Sequence, residues 1–163
     1  MTPKVSIIIN CRNGARFLKE CIDSIFDQTF LDWEIIFWDN VSTDKSLDIA
    51  KSYRSKIRFF ASRELLSLGQ ARRCAMQEAR GKFIAFLDTD DIWLRDHLAI
   101  QVSFMEENAY LASYAGIQEI DEKKRLLDVF SYFLHEFPFI FLLTSSTNSI
   151  PKLVIFLNKG LTH

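Results

Sequence analysis

Apolar strand-like runs alternate with helical periodicities along residues 1–121, which predicts a three-layer α/β fold with a mostly parallel sheet. Three observations carry that expectation. The runs at residues 5–9 and 34–38 flank a segment in which Phe17, Cys21 and Ile25 recur every fourth residue, a β-α-β unit whose crossover implies parallel strands. A second helical pattern, on Leu47, Ala50 and Tyr53, leads into another β-rich run, Ile57–Ala61. The short aromatic run at residues 82–87 then stops abruptly at Asp88, Asp90 and Asp91. Open α/β sheets bind ligands just there, beyond the carboxyl ends of their strands.

Taken in order, residues 5–9 (V-S-I-I-I) are continuous and β-branched, as a buried strand requires. Asn10-Cys11-Arg12-Asn13-Gly14 breaks that run with turn chemistry. From Ala15 the period is helical, with Leu18, Ile22 and Phe26 flanking the Phe17-Cys21-Ile25 face. Residues 30–33 connect to the second strand, which ends at Asp39-Asn40. Ser42-Thr43-Asp44 has the composition of a helix N-terminus, a hydroxyl to cap and an acid to complement the dipole. After the third strand, residues 65–69 form a loop and residues 70–79 a short helix bearing Arg72 and Arg73. Gly81 is expected to close that helix in the left-handed conformation. Leu94, Leu98, Val102 and Met105 predict a helix over residues 95–108, and residues 109–117 a further strand. Past Asp121 the pattern thins. Residues 122–125 are a charged turn, 130–143 are rich in Phe and Leu without a period, 144–149 are polar, and 151–157 are a last apolar run.

At 163 residues, 48% hydrophobic and 25% charged, the chain is one ordinary globular domain's worth of sequence. A net charge of −1 and the lack of a basic stripe exclude a nucleic-acid partner on electrostatic grounds. Cys11, Cys21 and Cys74 are odd in number and share no metal-type spacing, which suits a reducing compartment. His97, His135 and His163 are too scattered for a His-based metal site. Residues 1–4 lead straight into strand-like sequence, and the longest apolar run, residues 137–143, is too short to span a bilayer. The expected location is cytoplasmic, with peripheral contact at the inner face of the membrane left open. Fifteen Phe residues hint at an apolar surface beyond the core.

Three carboxylates within four residues repel one another unless a cation sits among them. Mg²⁺ or Mn²⁺ suits such a cluster, because hard divalent ions take oxygen ligands and share them with phosphate and water. The plainer alternative is a solvated acidic turn capping the next helix. Other nucleotide enzymes fit poorly. A dinucleotide-binding domain wants G-x-G-x-x-G after the first strand, where this chain has N-C-R-N-G, and a Walker A loop is absent.

Three motifs in order then carry a resemblance. W-D-N-V-S-T-D (residues 38–44), L-G-Q-A-R-R-C-A-M (68–76) and G-K-F-I-A-F-L-D-T-D-D-I-W (81–93) resemble the inverting family 2 glycosyltransferases of GT-A fold. The opening V-S-I-I-I-N with Arg12-Asn13 is similar to that family's first strand and loop. The resemblance implies a divalent-metal-dependent transfer, with inversion, from a nucleoside-diphosphate sugar, expected to be a UDP-sugar, to an acceptor hydroxyl. It places Asp39 on the nucleotide base, Asn10, Arg12 and Asn13 near base and ribose, and Arg72 close to the nucleotide. Asp88 falls near ribose and diphosphate, Asp90 on the metal, and Asp91 beside the donor pocket. Arg73 departs from the asparagine usual in the family. Residues 1–121 are then a nucleotide-sugar-binding domain, and residues 122–163 a partial acceptor-side region or degenerate tail of a fold incomplete at its C-terminus. The acceptor, saccharide or lipid-linked, is not legible. Nor is the general base, for which Asp96, Glu106, Glu107, Glu119, Asp121, Glu122, Asp128 and Glu136 are the downstream candidates. The alternative reading is a non-catalytic, truncated remnant that at most binds the nucleotide.

Overall fold

In the computed structural model, which describes residues 2–53, 57–108, 112–120, 126–130, 141–144 and 155–158, strand β1 (Val5–Cys11) holds the centre. Its run from Val5 to Ile9 is buried on both faces, as a continuous β-branched strand must be. Helix α1 (Leu18–Phe26) returns the chain to β2 (Trp33–Asp39), which pairs in parallel with β1 from Val5↔Trp33 to Cys11↔Asp39. Helix α2 (Ser46–Ser52) leads to β3 (Ile57–Ala61), parallel to β2. Helix α3 (Leu68–Glu78) leads to β4 (Phe83–Phe86), parallel to the other side of β1. The chain continues through β5 (Asp91–Trp93), helix α4 (His97–Asn108), β6 (Ala112–Tyr114) and β7 (Gly116–Ile120). Then come β8 (Leu126–Phe130), β9 (Phe141–Thr144) and β10 (Ile155–Asn158).

The larger sheet has the order β3-β2-β1-β4-β10-β6, with β10 antiparallel to both its neighbours. A second sheet, β5-β9-β7-β8, mixes antiparallel pairs with the parallel pair β7–β9. Alternation along β1 divides the core. Val5, Ile7 and Ile9 pack with Leu18, Cys21, Ile22 and Ile25 of α1 and with Leu98, Val102 and Met105 of α4. Ile8 faces the other way, with Ile36 and Ile84, onto Ala75 and Ala79 of α3. Among the described residues no helix is long and apolar enough to cross a membrane. No described Phe side chain is exposed; the exposed large apolar residues are Leu31, Val41, Leu65, Leu68, Leu94 and Ile100.

Several boundaries differ from the sequence expectation for identifiable reasons. Helix α2 starts at Ser46, not at Ser42-Thr43-Asp44, because those side chains bond across to the first turn instead of capping. Helix α3 starts earlier, at Leu68, where Ser67 and Gln70 form a reciprocal capping box. Gly81 does not adopt a positive φ, so the left-handed cap is corrected. Its role is close approach: a Cβ there would lie 2.6 Å from the Ser6 nitrogen and 2.8 Å from the Val5 carbonyl carbon. Ser6 Oγ accepts from the Gly81 N–H (2.8 Å) and the Arg80 N–H (3.1 Å), and donates to Glu34 Oε1 (2.7 Å). The strand expected over residues 109–117 divides into β6 and β7. The charged turn at residues 122–125 and most of the polar stretch at 144–149 lie outside the described residues.

Candidate functional site

Strand register brings the sequence-predicted residues to one rim. Cys11 is level with Asp39, and Leu87 N–H donates to the Ile8 carbonyl (3.0 Å), which sets Asp88 beside the end of β1. Asn10, Asp39 and Asp88 therefore stand at the carboxyl ends of three adjacent parallel strands.

Two of them present polar atoms that no described residue satisfies. Both amide atoms of Asn10 and Oδ1 of Asp39 are buried and without a hydrogen bond among the described residues. The other Asp39 oxygen accepts from the Ser42 N–H at 3.2 Å. An unsatisfied buried polar atom costs roughly 1–3 kcal/mol, so several at neighbouring strand ends mark a place where a ligand's polar atoms complete the set.

The turn after β1 is locked from the side. Asn13, at φ 53°, donates its N–H to Ser42 Oγ (3.0 Å), Gly14 to Ser46 Oγ (2.9 Å) and Ala15 to Asp44 Oδ2 (3.0 Å). In return Asn13 Oδ1 accepts from the Thr43 N–H at 2.8 Å. Three successive amides that could have cradled a phosphate are thus taken by protein oxygens, so an anion has to be held elsewhere. Asp44 keeps its carboxyl below the usual range, chiefly through its hydrogen bond from Ser46. Arg12, in the same turn, is exposed. Gly14 lets this turn touch the acidic one: a Cβ there would lie 2.9 Å from Thr89 Oγ1.

The acidic turn is held from both faces of the sheet. Arg72, reaching over from α3, pairs with Asp88 Oδ1 at 2.8 Å and lies 5.4 Å from the Phe86 ring centroid. One of the three carboxylates therefore has its cation built in. The Asp88 carbonyl accepts from the Asp91 N–H (3.1 Å) and from Cys21 Sγ (3.4 Å). Burial, then the field of Asp91, Asp88 and Asp90, pushes the Cys21 thiol well up. Asp91 is 1% exposed at the start of β5, whereas Asp90 is half-buried. Arg73 is exposed on α3. Among the described residues no three His, Cys, Asp or Glu side chains converge as metal ligands. A divalent ion still fits at Asp90 in the manner of Mg²⁺, which takes one or two carboxylates and completes its shell with phosphate oxygens and water.

The candidates for a general base are sorted by place. Glu106 pairs with Lys4 (2.6 Å) and Lys82 (3.4 Å), at the opposite, amino edge of the sheet. Glu107 accepts from Ser103 (2.6 Å), and Asp96 from Thr29 Oγ1 (2.9 Å), away from the acidic turn. Asp121, Glu122 and Glu136 lie outside the described residues. Sequence reasoning missed Asn40, Ser46 and Thr89. The Asn that follows the strand-ending acid was the available signal for the first; nothing in the sequence pointed to the other two.

A mostly parallel sheet with helices on both faces, and a rim of unsatisfied polar atoms beside an acidic turn, defines an α/β protein of GT-A type. The chain belongs to glycosyl transferase family 2, whose model matches residues 6–157. It is 33% identical over 131 residues to the putative teichuronic acid biosynthesis glycosyltransferase TuaG of Bacillus subtilis, covering 78% of this chain and 52% of that one. It is 36% identical over 113 residues to the Escherichia coli UDP-Glc:alpha-D-GlcNAc-diphosphoundecaprenol beta-1,3-glucosyltransferase WfaP, covering 69% and 45%. The crystal structure of S. aureus TarS 1–349 in complex with UDP-GlcNAc is similar with a TM-score of 0.66 at 25% identity, covering 77% of this chain and 37% of that one. The chain spans 21% and 52% of the lengths of the first two curated relatives it matches.

Proposed function

We propose that residues 1–121 bind the donor of a metal-dependent, inverting transfer, in which a sugar passes from a UDP-sugar to an acceptor hydroxyl. The observation that carries this reading is the row of unsatisfied atoms on Asn10 and Asp39 next to the Arg72-held acidic turn. Asp39 Oδ1 is suited to accept from a base N–H, and the Asn10 amide can both donate and accept, as the edge of a base or ribose requires. Arg12 and Asn13 flank that half of the pocket. Arg72 fixes Asp88 toward the ribose and diphosphate, Asp91 shapes the wall below, and Asp90 holds Mn²⁺ or Mg²⁺. When bound, the ion supplies Lewis-acid neutralisation of the departing diphosphate.

The locked turn after β1 supports this division, because it leaves the anionic half of the donor to the acidic turn. TuaG is by name a putative teichuronic acid biosynthesis glycosyltransferase, and WfaP a glucosyltransferase acting on alpha-D-GlcNAc-diphosphoundecaprenol. An acceptor of that kind, saccharide or lipid-linked, would place the chain in the cytoplasm against the inner face of the membrane. Residues 122–163 contribute the acceptor side.

Calorimetric titration with UDP tests the reading. Binding should require Mn²⁺, and Asp90→Ala should weaken it at least tenfold, the scale of one charge-assisted contact. Equal UDP affinity with and without the ion in the unaltered chain would refute the metal's role; no binding at all would refute the donor site.

A further inference from the structure

Between the two halves of the rim lies a residue that touches neither ligand group proposed above. Asn40 is 7% exposed and makes three hydrogen bonds. Its backbone N–H donates to the Cys11 carbonyl (2.8 Å), which ties the end of β2 to the end of β1. Its side-chain Nδ2 donates to the Leu66 carbonyl (2.8 Å), and its Oδ1 accepts from the Leu66 N–H (3.0 Å). The side chain thus pairs with a whole peptide residue, donor to acceptor and acceptor to donor. A planar group carrying both functions at that reach is an asparagine amide; a carboxylate has no hydrogen to give the carbonyl.

Leu66 immediately precedes Ser67, the N-cap of α3, and Arg72 stands in the second turn of that helix. On one side of Asn40, then, is Asp39, bonded to it directly. On the other, through Leu66 and the capped helix, is the Arg72–Asp88 pair. Val41, next along, holds φ 61°, a conformation unfavourable for a β-branched residue that the surrounding bonds must enforce.

We propose that Asn40 is a positioning residue for the donor nucleotide: its amide, paired with Leu66, sets the spacing between Asp39 and the Arg72–Asp88 pair. This rests on the donor-site reading above. A nucleoside diphosphate has to meet both places at once, and its base and phosphates are joined by a linkage of limited reach. Loosening the Leu66 tie lets α3 shift relative to β2 and widens the distribution of that spacing.

The test is UDP affinity with Mn²⁺, measured beside thermal stability, for Asn40→Asp, Asn40→Ser and a control, Ser62→Ala. Asn40→Asp keeps the shape and removes the donor; Asn40→Ser removes both bonds without adding charge and stands in should the first fold poorly. Ser62→Ala deletes the acceptor of the Trp38 Nε1 bond (2.8 Å), a neighbouring tie between β2 and the start of the β3–α3 segment that leaves both Asn40–Leu66 bonds in place. Both Asn40 variants should bind UDP about tenfold more weakly, the scale of a buried hydrogen bond left unmade, with Ser62→Ala within about twofold of the unaltered chain. Unchanged affinity in both Asn40 variants overturns the proposal, as does an equal loss in Ser62→Ala for the same loss of stability. Absence of UDP binding by the unaltered chain is a different result: it removes the donor reading and this inference together.

Discussion

His97 is 1% exposed, lies against Trp93 with ring centroids 4.6 Å apart, and has neither ring nitrogen hydrogen-bonded among the described residues. Desolvation lowers its pKa to about 3, so the folded protein keeps the imidazole neutral. The unfolded chain takes up that proton near its ordinary value of about 6.5, and therefore binds more protons than the folded one between the two values. Stability contributed at neutral pH is lost as pH falls below 6.5 and levels off near 3. Between pH 7 and pH 5 the expected loss from this one group is about 2 kcal/mol. His97→Phe keeps the ring contact and removes the titration, so its urea midpoint should fall less over that interval than that of the unaltered chain. Sequence alone could not show this. A lone histidine on a helical segment has the same letters whether buried or exposed, and only the packing of β5 against α1 and α4 decides.

The elements were legible where one physical cause dominates. Residues 5–9 and 34–38 read as strands because β-branched and aromatic runs of that length suit burial on both faces, and residues 57–61 follow them at the sheet edge, where only Ile57 is fully buried. They were less legible where two causes compete for the same residue types. Ser42, Thr43 and Asp44 could cap a helix or cross-link a turn, and the turn won. Its three bare amides are satisfied in one stroke by Ser42, Ser46 and Asp44, a larger gain than one cap. Asp44 is the hub of that arrangement, accepting from Ala15 and Ser46 N–H groups and from the Ser46 hydroxyl. Asp44→Asn should therefore raise the hydrogen-exchange rate of the Ala15 and Gly14 amides while leaving those in β3 unchanged. Equal protection in variant and unaltered chain would show that the turn holds without it. Asn10, Asp39 and Asp88 were legible as residues at strand ends because those ends are fixed by the runs that precede them. The pairing of Asn40 with Leu66 was not, because a bond between side chain and backbone 26 residues apart leaves no local pattern.

At the scale of the whole molecule the chain after residue 121 is less separate than its sequence suggested. Strand β10 lies between β4 and β6, pairing Leu157 with both Ile84 and Ala112, and β9 pairs with β5 directly after the acidic turn. The sequence hid this, because strands of four residues are too short to show a period. A chain ending at residue 121 would bare the edge of β4, the strand that carries the acidic turn, and unpaired edges recruit other chains. Such a chain should elute from size exclusion as multimers at concentrations where the full chain gives one smaller species; a single small species would show that β10 is dispensable to the sheet. The general base stayed illegible for a related reason. Choosing among carboxylates needs their place in space, which sets aside Glu106, anchored at the far edge by Lys4 and Lys82, and Glu107 and Asp96, bonded to Ser103 and Thr29.

The filled amides of Asn13, Gly14 and Ala15 bear on how the rim could be blocked. A competitor gains little by aiming an anion at those backbone amides, which the chain itself already engages. Chemistry that mimics the heterocycle, with an N–H aimed at Asp39 and a complementary pair aimed at Asn10, addresses the wall still short of partners. Uncharged inhibitors, which enter cells more readily than diphosphates, are the natural starting point for this pocket.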